Sequence, residues 1–152
     1  MIFSYKSQSL EDTLSFGKKI GSRLKGGEVF ELNSDLGGGK TAFVRGLAYG
    51  IGSEDEISSP SFTLNNQYVG TGLRIEHFDF YRLSSAGVVA DELKEFLGAP
   101  DTVVAVEWGD IVHDVLPKER VTITISVDAD DERTCVCEYP QTLLYLFEGA
   151  IL

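Results

Sequence analysis

Leu10, Leu14, Ile20 and Leu24 recur at near-helical spacing, which makes one face of the segment after Ser9 apolar and predicts an amphipathic helix. Ser9, followed by Glu11 and Asp12, has the form of an N-cap with acids at the positive end of the helix dipole, and Gly26-Gly27 is the predicted stop. From Glu28 to Leu32 the pattern becomes that of a short strand, and this strand leads into a glycine-rich turn. Ala42, Phe43, Leu47 and Ala48 then fit a helix ending near Gly50 to Gly52. An acidic loop, Ser53 to Ser59, is closed by Pro60, which biases Ser59 away from helix. Two strands are expected at Phe62 to Val69 and Leu73 to Phe80, joined through Gly70-Thr71-Gly72 as a hairpin or tight connection.

Further on, a helix is expected from Val88 to Leu97, stopped by Gly98 and Pro100. Thr102 to Glu107 reads as a continuously apolar buried strand, followed by a short helix near Ile111 to Leu116. Val121 to Val127 and Arg133 to Tyr139 alternate like a terminal antiparallel pair, with a polar turn at Asp128 to Glu132. The apolar stretch Gln141 to Leu152 matches no recognised pattern. Strand, glycine turn and helix, followed by strands alternating with helices, predict an α/β sheet with an antiparallel addition. In such sheets ligands sit at the carboxyl ends of the strands.

Composition narrows the picture. With 152 residues, 43% hydrophobic and 24% charged, the chain is expected to form one domain over residues 1–152. Apolar runs such as Val103 to Val106 fall far short of the roughly 20 residues that span a bilayer. The segment Met1 to Lys6 lacks a basic stretch followed by an apolar one, so a cytoplasmic location is expected. A net charge of -11 with scattered Lys and Arg argues against free-standing binding to a nucleic-acid backbone. Cys135 and Cys137 alternate on one expected strand and there are no other cysteines, so they are read as reduced strand residues rather than part of a metal site.

The candidate chemistry begins at Asp35-Leu36-Gly37-Gly38-Gly39-Lys40-Thr41, between an apolar strand and a helix. A phosphate-binding loop needs glycines so that the backbone folds around phosphate oxygens, a Lys for the β- and γ-phosphates, and a Ser or Thr hydroxyl for Mg²⁺. Ser34 stands where the G-x-x-x-x-G-K-[ST] pattern has its first Gly. A glycine-rich turn with a solvated lysine is the plainer alternative. Mg²⁺ also requires acids at strand ends. Glu107 closes the apolar run Val103 to Val106 in the manner of a Walker B strand, or is simply a strand-end surface residue. Asp79, in the aromatic stretch His77 to Arg82, is a second acid, with a structural role beside Arg82 or as a backbone cap as its alternative. Trp108 either stacks near a nucleotide or anchors a core or interface. His77 is expected to be a packed strand residue rather than a general base, and His113 a helix-surface residue. Ser61 and Thr63, beside Pro60, lie where a γ-phosphate-sensing switch loop would be, though an ordinary loop fits them equally.

Taken together, Asp35 to Thr41, Ser59-Pro60-Ser61-Phe62-Thr63-Leu64, His77-Phe78-Asp79-Phe80-Tyr81-Arg82-Leu83 and Val106-Glu107-Trp108 resemble the TsaE (YjeE) family, the bacterial ATPases of tRNA threonylcarbamoyladenosine biosynthesis. The resemblance spans roughly residues 5 to 140, with Ser34 in place of the usual Gly and Ser61 in place of the usual Thr. It implies a P-loop NTPase-like three-layer fold, a mainly parallel central sheet with antiparallel edge strands. It further implies ATP binding by Asp35, Leu36, Gly37, Gly38, Gly39, Lys40, Thr41 and Ala42, with Trp108 near the nucleotide. Thr41, Glu107 and Asp79 would serve Mg²⁺, and Lys40, Glu107 and Asp79 would carry hydrolysis.

The implied partners are the TsaD and TsaB subunits, with tRNA engaged only through the complex, and hydrolysis by the chain alone is expected to be slow. Arg45 and Arg82 are the candidate intrinsic arginine fingers, and a finger or positioning group from a partner would raise the rate by roughly 10³ to 10⁵. A small-molecule P-loop kinase and a non-catalytic nucleotide-dependent docking protein are the competing functions. No Arg-rich lid insertion follows the fourth strand as a kinase would need, and no N-K-x-D guanine-reading motif is present.

Overall fold

The computed structural model describes residues 1–35, 37–56, 65–81, 83–85 and 87–149. In chain order these form β1 (Ile2–Ser7), α1 (Leu10–Gly21), β2 (Val29–Asn33), α2 (Lys40–Gly50), β3 (Asn65–Val69), β4 (Arg74–Asp79), α3 (Gly87–Phe96), β5 (Thr102–Glu107), β6 (Val121–Val127) and β7 (Arg133–Glu138). The strands make one seven-stranded sheet ordered β1-β7-β6-β2-β5-β4-β3. Its centre, β6-β2-β5-β4, is parallel, while β1, β7 and β3 run antiparallel to their neighbours. The mainly parallel α/β sheet with antiparallel edges is therefore present as expected. Strand β5 is buried along its whole length, as a central strand covered on both faces must be.

Side-chain alternation divides the core in two. Phe30, Leu32, Ile75, Val103 and Ala105 face α1 and α2, whereas Val29, Phe78, Val104 and Val106 face α3 and the segment after β5. Among the described residues no helix is long and apolar enough to cross a membrane.

Ser9 caps α1 as its sequence predicts: its Oγ accepts from the Asp12 N–H at 3.1 Å, and Asp12 Oδ2 accepts from the Gln8 N–H at 2.9 Å. The helix stops at Gly21 rather than at Gly26-Gly27. Gly17 and Gly21 of α1 lie against Gly46 and Gly50 of α2, backbone on backbone. A Cβ on Gly17 would overlap the Phe43 carbonyl oxygen, and one on Gly50 would come within 2.6 Å of Gly21 Cα. Four glycines, spaced one helical turn apart on each helix, thus set the distance between α1 and α2.

Two further expectations are corrected. No element was expected before Ser9, yet Ile2 to Ser7 form an edge strand whose partner, β7, lies at the far end of the chain. The short helix expected at Ile111 to Leu116 is instead a 3₁₀ turn over Gly109–Val112, begun by Trp108 in the left-handed conformation (φ 57°, ψ 50°). The unassigned apolar tail forms a 3₁₀ segment, Gln141–Leu146, that seals the α1/α2 face: Leu146 and Phe147 enter the core, and Phe147 stacks on Tyr139 at 4.1 Å. Glu28 fixes the tail, accepting from the Tyr145 hydroxyl at 2.6 Å and from the Lys25 and Gly26 amides at 2.7 and 2.8 Å.

Cys135 and Cys137 point from β7 into this core as free thiols. Burial pushes the Cys135 thiol up to about 11 against the pull of Arg133; burial, then the neighbouring Cys135, push Cys137 further in the same direction. A raised folded-state pKa gives stability that is complete below the unfolded-state value and is lost as pH climbs through the folded one. The thermal midpoint is therefore expected to stay level up to about pH 8.5 and to fall between there and pH 11. Melts across that range check this, and a midpoint rising above pH 9 would contradict it.

Candidate functional site

Strand β2 runs through the middle of the sheet and ends beneath a glycine-rich loop. Gly37 (φ 78°) and Gly39 (φ 110°) take left-handed conformations that other residues rarely adopt. Gly39 stands at the N-cap of α2 with no side-chain cap, which leaves first-turn N–H groups available to an anion. Gly38 is constrained differently, since a Cβ there would meet Ser34 Oγ at 2.5 Å. Ser34 itself is not among the positive-φ residues, and its hydroxyl donates to the Asp35 carbonyl at 2.9 Å. The Lys40 ammonium donates to the Ser34 carbonyl at 3.2 Å and lies 4.6 Å from the centre of the Trp108 ring.

A cavity of about 590 Å³ opens over this loop. Its walls are Gly37 to Ala42 of the cradle among the described residues, Leu10, Glu11 and Leu14 of α1, Arg45 of α2, and Asp79, Glu107 and Trp108. The two acids arrive together because β4 and β5 pair in parallel with Asp79 directly opposite Glu107, and β2 pairs with β5 so that Leu32 stands beside Glu107. Three strand ends thus finish at one level beside the cradle. Both acids are buried, at 7% and 2% exposure.

Asp79 Oδ1 accepts the Tyr81 N–H at 3.0 Å, so this residue caps the chain leaving β4 as well as lining the cavity. Glu107 Oε2 accepts from His77 Nε2 at 2.9 Å. Trp108 packs on Tyr81 with ring centres 4.9 Å apart, and among the described residues its buried indole N–H meets no acceptor. Among the described residues no three His, Cys, Asp or Glu side chains form a closed metal cluster. The cavity instead offers separate oxygen donors beside a phosphate-type cradle, an arrangement suited to a hard cation that keeps waters and shares phosphate oxygens.

A family model described as threonylcarbamoyl adenosine biosynthesis protein TsaE matches residues 7–135. The chain belongs to the TsaE family. It is 41% identical over 134 residues to the tRNA threonylcarbamoyladenosine biosynthesis protein TsaE of Treponema pallidum (strain Nichols), covering 84% of this chain and 93% of that protein. With the protein of the same description from Bacillus subtilis (strain 168) it shares 35% identity over 131 residues, 85% of this chain and 80% of that one. The crystal structure of Bacillus subtilis YdiB superposes with a TM-score of 0.82 at 28% identity, over 99% of this chain and 94% of YdiB.

In this TsaE-family chain, the expected residues Gly37, Gly38, Gly39, Lys40, Thr41, Ala42, Asp79, Glu107 and Trp108 meet in one cavity. Asp35 is exposed and stands outside its lining. Leu36, Ser61, Thr63 and Arg82 lie outside the described residues. His113 is exposed, as expected.

Arg133 escaped the sequence reading. From the start of β7 it donates through Nε to the Gly38 carbonyl at 3.2 Å and through Nη1 to the Asp131 carbonyl at 2.6 Å, bracing the cradle from behind at 6% exposure. Its signal was parity. Arg133 shares the inward face of Cys135 and Cys137, where an arginine needs a partner.

Proposed function

We propose that this chain binds Mg·ATP in the cavity over β2, β4 and β5 and hydrolyses it slowly, in support of threonylcarbamoyladenosine formation on adenosine 37 of tRNA by a complex with TsaD and TsaB subunits. The reading is carried by one juxtaposition: an uncapped helix N-terminus bearing Lys40 opens into the same cavity as the paired carboxylates Asp79 and Glu107. The loop amides and Lys40 would hold the phosphates, and the Thr41 hydroxyl with Glu107 and Asp79 would hold Mg²⁺. The ion, when bound, neutralises charge on the phosphates. Asp79 orients the attacking water, and Trp108 walls the nucleotide side. With a net charge of -11, the chain leaves the tRNA to its partners. A cytoplasmic setting suits this role.

Phosphate release measured with and without TsaD and TsaB is the decisive experiment. Slow release by the isolated chain and faster release in the complex are expected; no release in either would leave only nucleotide docking. Glu107→Ala is expected to weaken Mg²⁺-dependent ATP binding, and Asp79→Ala to lower hydrolysis more than affinity. Parent-rate hydrolysis by both variants in the assembled complex would remove these roles.

Ser34→Gly tests the departure from the usual motif. Because Ser34 adopts no left-handed backbone, the substitution relieves no strain. ATP affinity is expected to change less than about threefold and stability to fall by about 0.5 kcal/mol through the freer unfolded chain. A tenfold gain in affinity, about 1.4 kcal/mol, would instead show a detuned cradle.

A further inference from the structure

Three side chains from three adjacent strands line up on the face of the sheet that carries α2. Tyr68 of β3, His77 of β4 and Glu107 of β5 are exposed by only 2%, 0% and 2%. The register explains how they meet. His77 sits opposite Ala105, whose methyl group leaves room beside the β5 backbone, and Tyr68 sits opposite Ile75, one step along the same face from His77. The imidazole spans the gap, with Nδ1 3.3 Å from the Tyr68 hydroxyl and Nε2 2.9 Å from Glu107 Oε2. For a neutral imidazole one assignment satisfies both contacts: the Tyr68 O–H donates to Nδ1, and the Nε2–H donates to the carboxylate.

Packing alone gives no reason for an imidazole here. Ile75, Val103 and Ala105 share this face, and burying a polar ring among such residues costs free energy unless its nitrogens are partnered. The partnered nitrogen nearer the cavity holds one oxygen of an acid that lines it. Among the described residues no donor reaches the other oxygen, Oε1. The Glu107 side chain is therefore tethered at one oxygen and open at the other.

We propose that His77 is a positioning residue that fixes the Glu107 carboxylate through Oε2 so that Oε1 is presented to the divalent cation accompanying the nucleotide. This rests on the reading of the cavity as an Mg·ATP site. Tyr68 acts one step further back, holding the imidazole ring in the plane that its contact with Glu107 needs. Groups that orient a metal-binding side chain in this way control metal affinity by roughly 10- to 100-fold.

Two substitutions at the same position separate positioning from packing. The amide nitrogen of Gln reaches the place of the imidazole Nε2, whereas that of Asn reaches only the place of Nδ1. The quantity to measure is the ratio of ATP affinity in Mg²⁺ to ATP affinity in EDTA, by calorimetry, with thermal melts confirming the fold. His77→Asn is expected to lower this ratio tenfold or more with affinity in EDTA unchanged, and His77→Gln to hold it within about threefold of the parent.

A folded His77→Asn protein with the parent ratio would overturn the proposal, as would equal losses in EDTA and in Mg²⁺ for both variants, the mark of a structural role. If His77→Asn does not fold, Tyr68→Phe replaces it; a fall of about tenfold in the ratio is expected, and a ratio within about threefold of the parent would overturn the proposal. A parent protein that binds ATP equally with and without Mg²⁺, or not at all, would instead remove the cavity reading itself and this proposal with it.

Discussion

Lys40→Ala is expected to abolish measurable Mg·ATP binding while leaving the fold intact. Lys40 is 7% exposed, and its side chain is held by two modest contacts, the Ser34 carbonyl at 3.2 Å and the Trp108 ring at 4.6 Å. Each contributes at most about 1 kcal/mol to stability, and the cost of burying the ammonium offsets part of that, so its removal should move the thermal midpoint only a few degrees. Against a triphosphate the same ammonium makes charge-assisted hydrogen bonds in a partly desolvated cavity. Losing several of these, at about 1.5–3 kcal/mol each, costs more than a hundredfold in affinity. Lys40→Arg should not rescue binding, because a planar guanidinium does not replace a compact point charge at the base of a narrow loop. Calorimetry on the folded variant checks the expectation, and an affinity within threefold of the parent would end the assignment of the cradle.

The second large effect is on stability. Gly46→Ala replaces a glycine in the middle of α2, where alanine is ordinarily the better helix former by about 0.8–1 kcal/mol. Here that preference loses. A Cβ at position 46 would overlap the Leu14 carbonyl oxygen and stand 2.8 Å from the Lys18 nitrogen and 2.9 Å from Gly17 Cα, all backbone atoms that cannot swing aside. Helices α1 and α2 would have to part, opening the core around Phe16, Phe43 and Leu47. Overpacking typically costs about 1–3 kcal/mol, and contact with fixed backbone puts this case at the upper end, so the net loss should be about 2 kcal/mol and the thermal midpoint should drop by roughly 4–8 °C. ATP affinity should fall as well, because the first turn of α2 is part of the cradle. A midpoint that rises by a few degrees would show that helix propensity governs this position.

The cradle and the two acids were legible because each is a local signal: glycines between a strand and a helix, and an acid at the end of an apolar run. That Asp79 and Glu107 stand opposite each other was not, because it depends on β5 inserting between β2 and β4, a choice made across the whole sheet. His77 read correctly as a packed strand residue, yet its bond to Glu107 lies across strands, where one sequence carries no register. The end of α1 was misplaced for a related reason. Leu24 continues the apolar spacing, but it reaches the core from the turn after the helix, and the seam with α2 fixes where the regular coil ends. Strand β1 offers only Phe3 and Tyr5 as inward apolar residues, too short an alternation to announce a strand without its partner. After β5, the left-handed backbone of Trp108 redirects the chain, and the apolar spacing at Ile111 to Leu116 becomes a turn.

The pairing of β1 with β7 also sets an order of events in synthesis. Six residues of β1 match six of β7, and the Met1 amino group donates to the Tyr139 carbonyl across 138 positions of chain. During translation, the backbone groups on that side of β1 have no complement until β7 has left the ribosome, whereas β2 to β5 and the helices between them can close earlier. Contacts of such long sequence separation form slowly. The nascent molecule therefore passes through a stage in which one strand and the aromatic side chains Phe3 and Tyr5 await their neighbours, and that stage is where a chaperone has most to offer this chain.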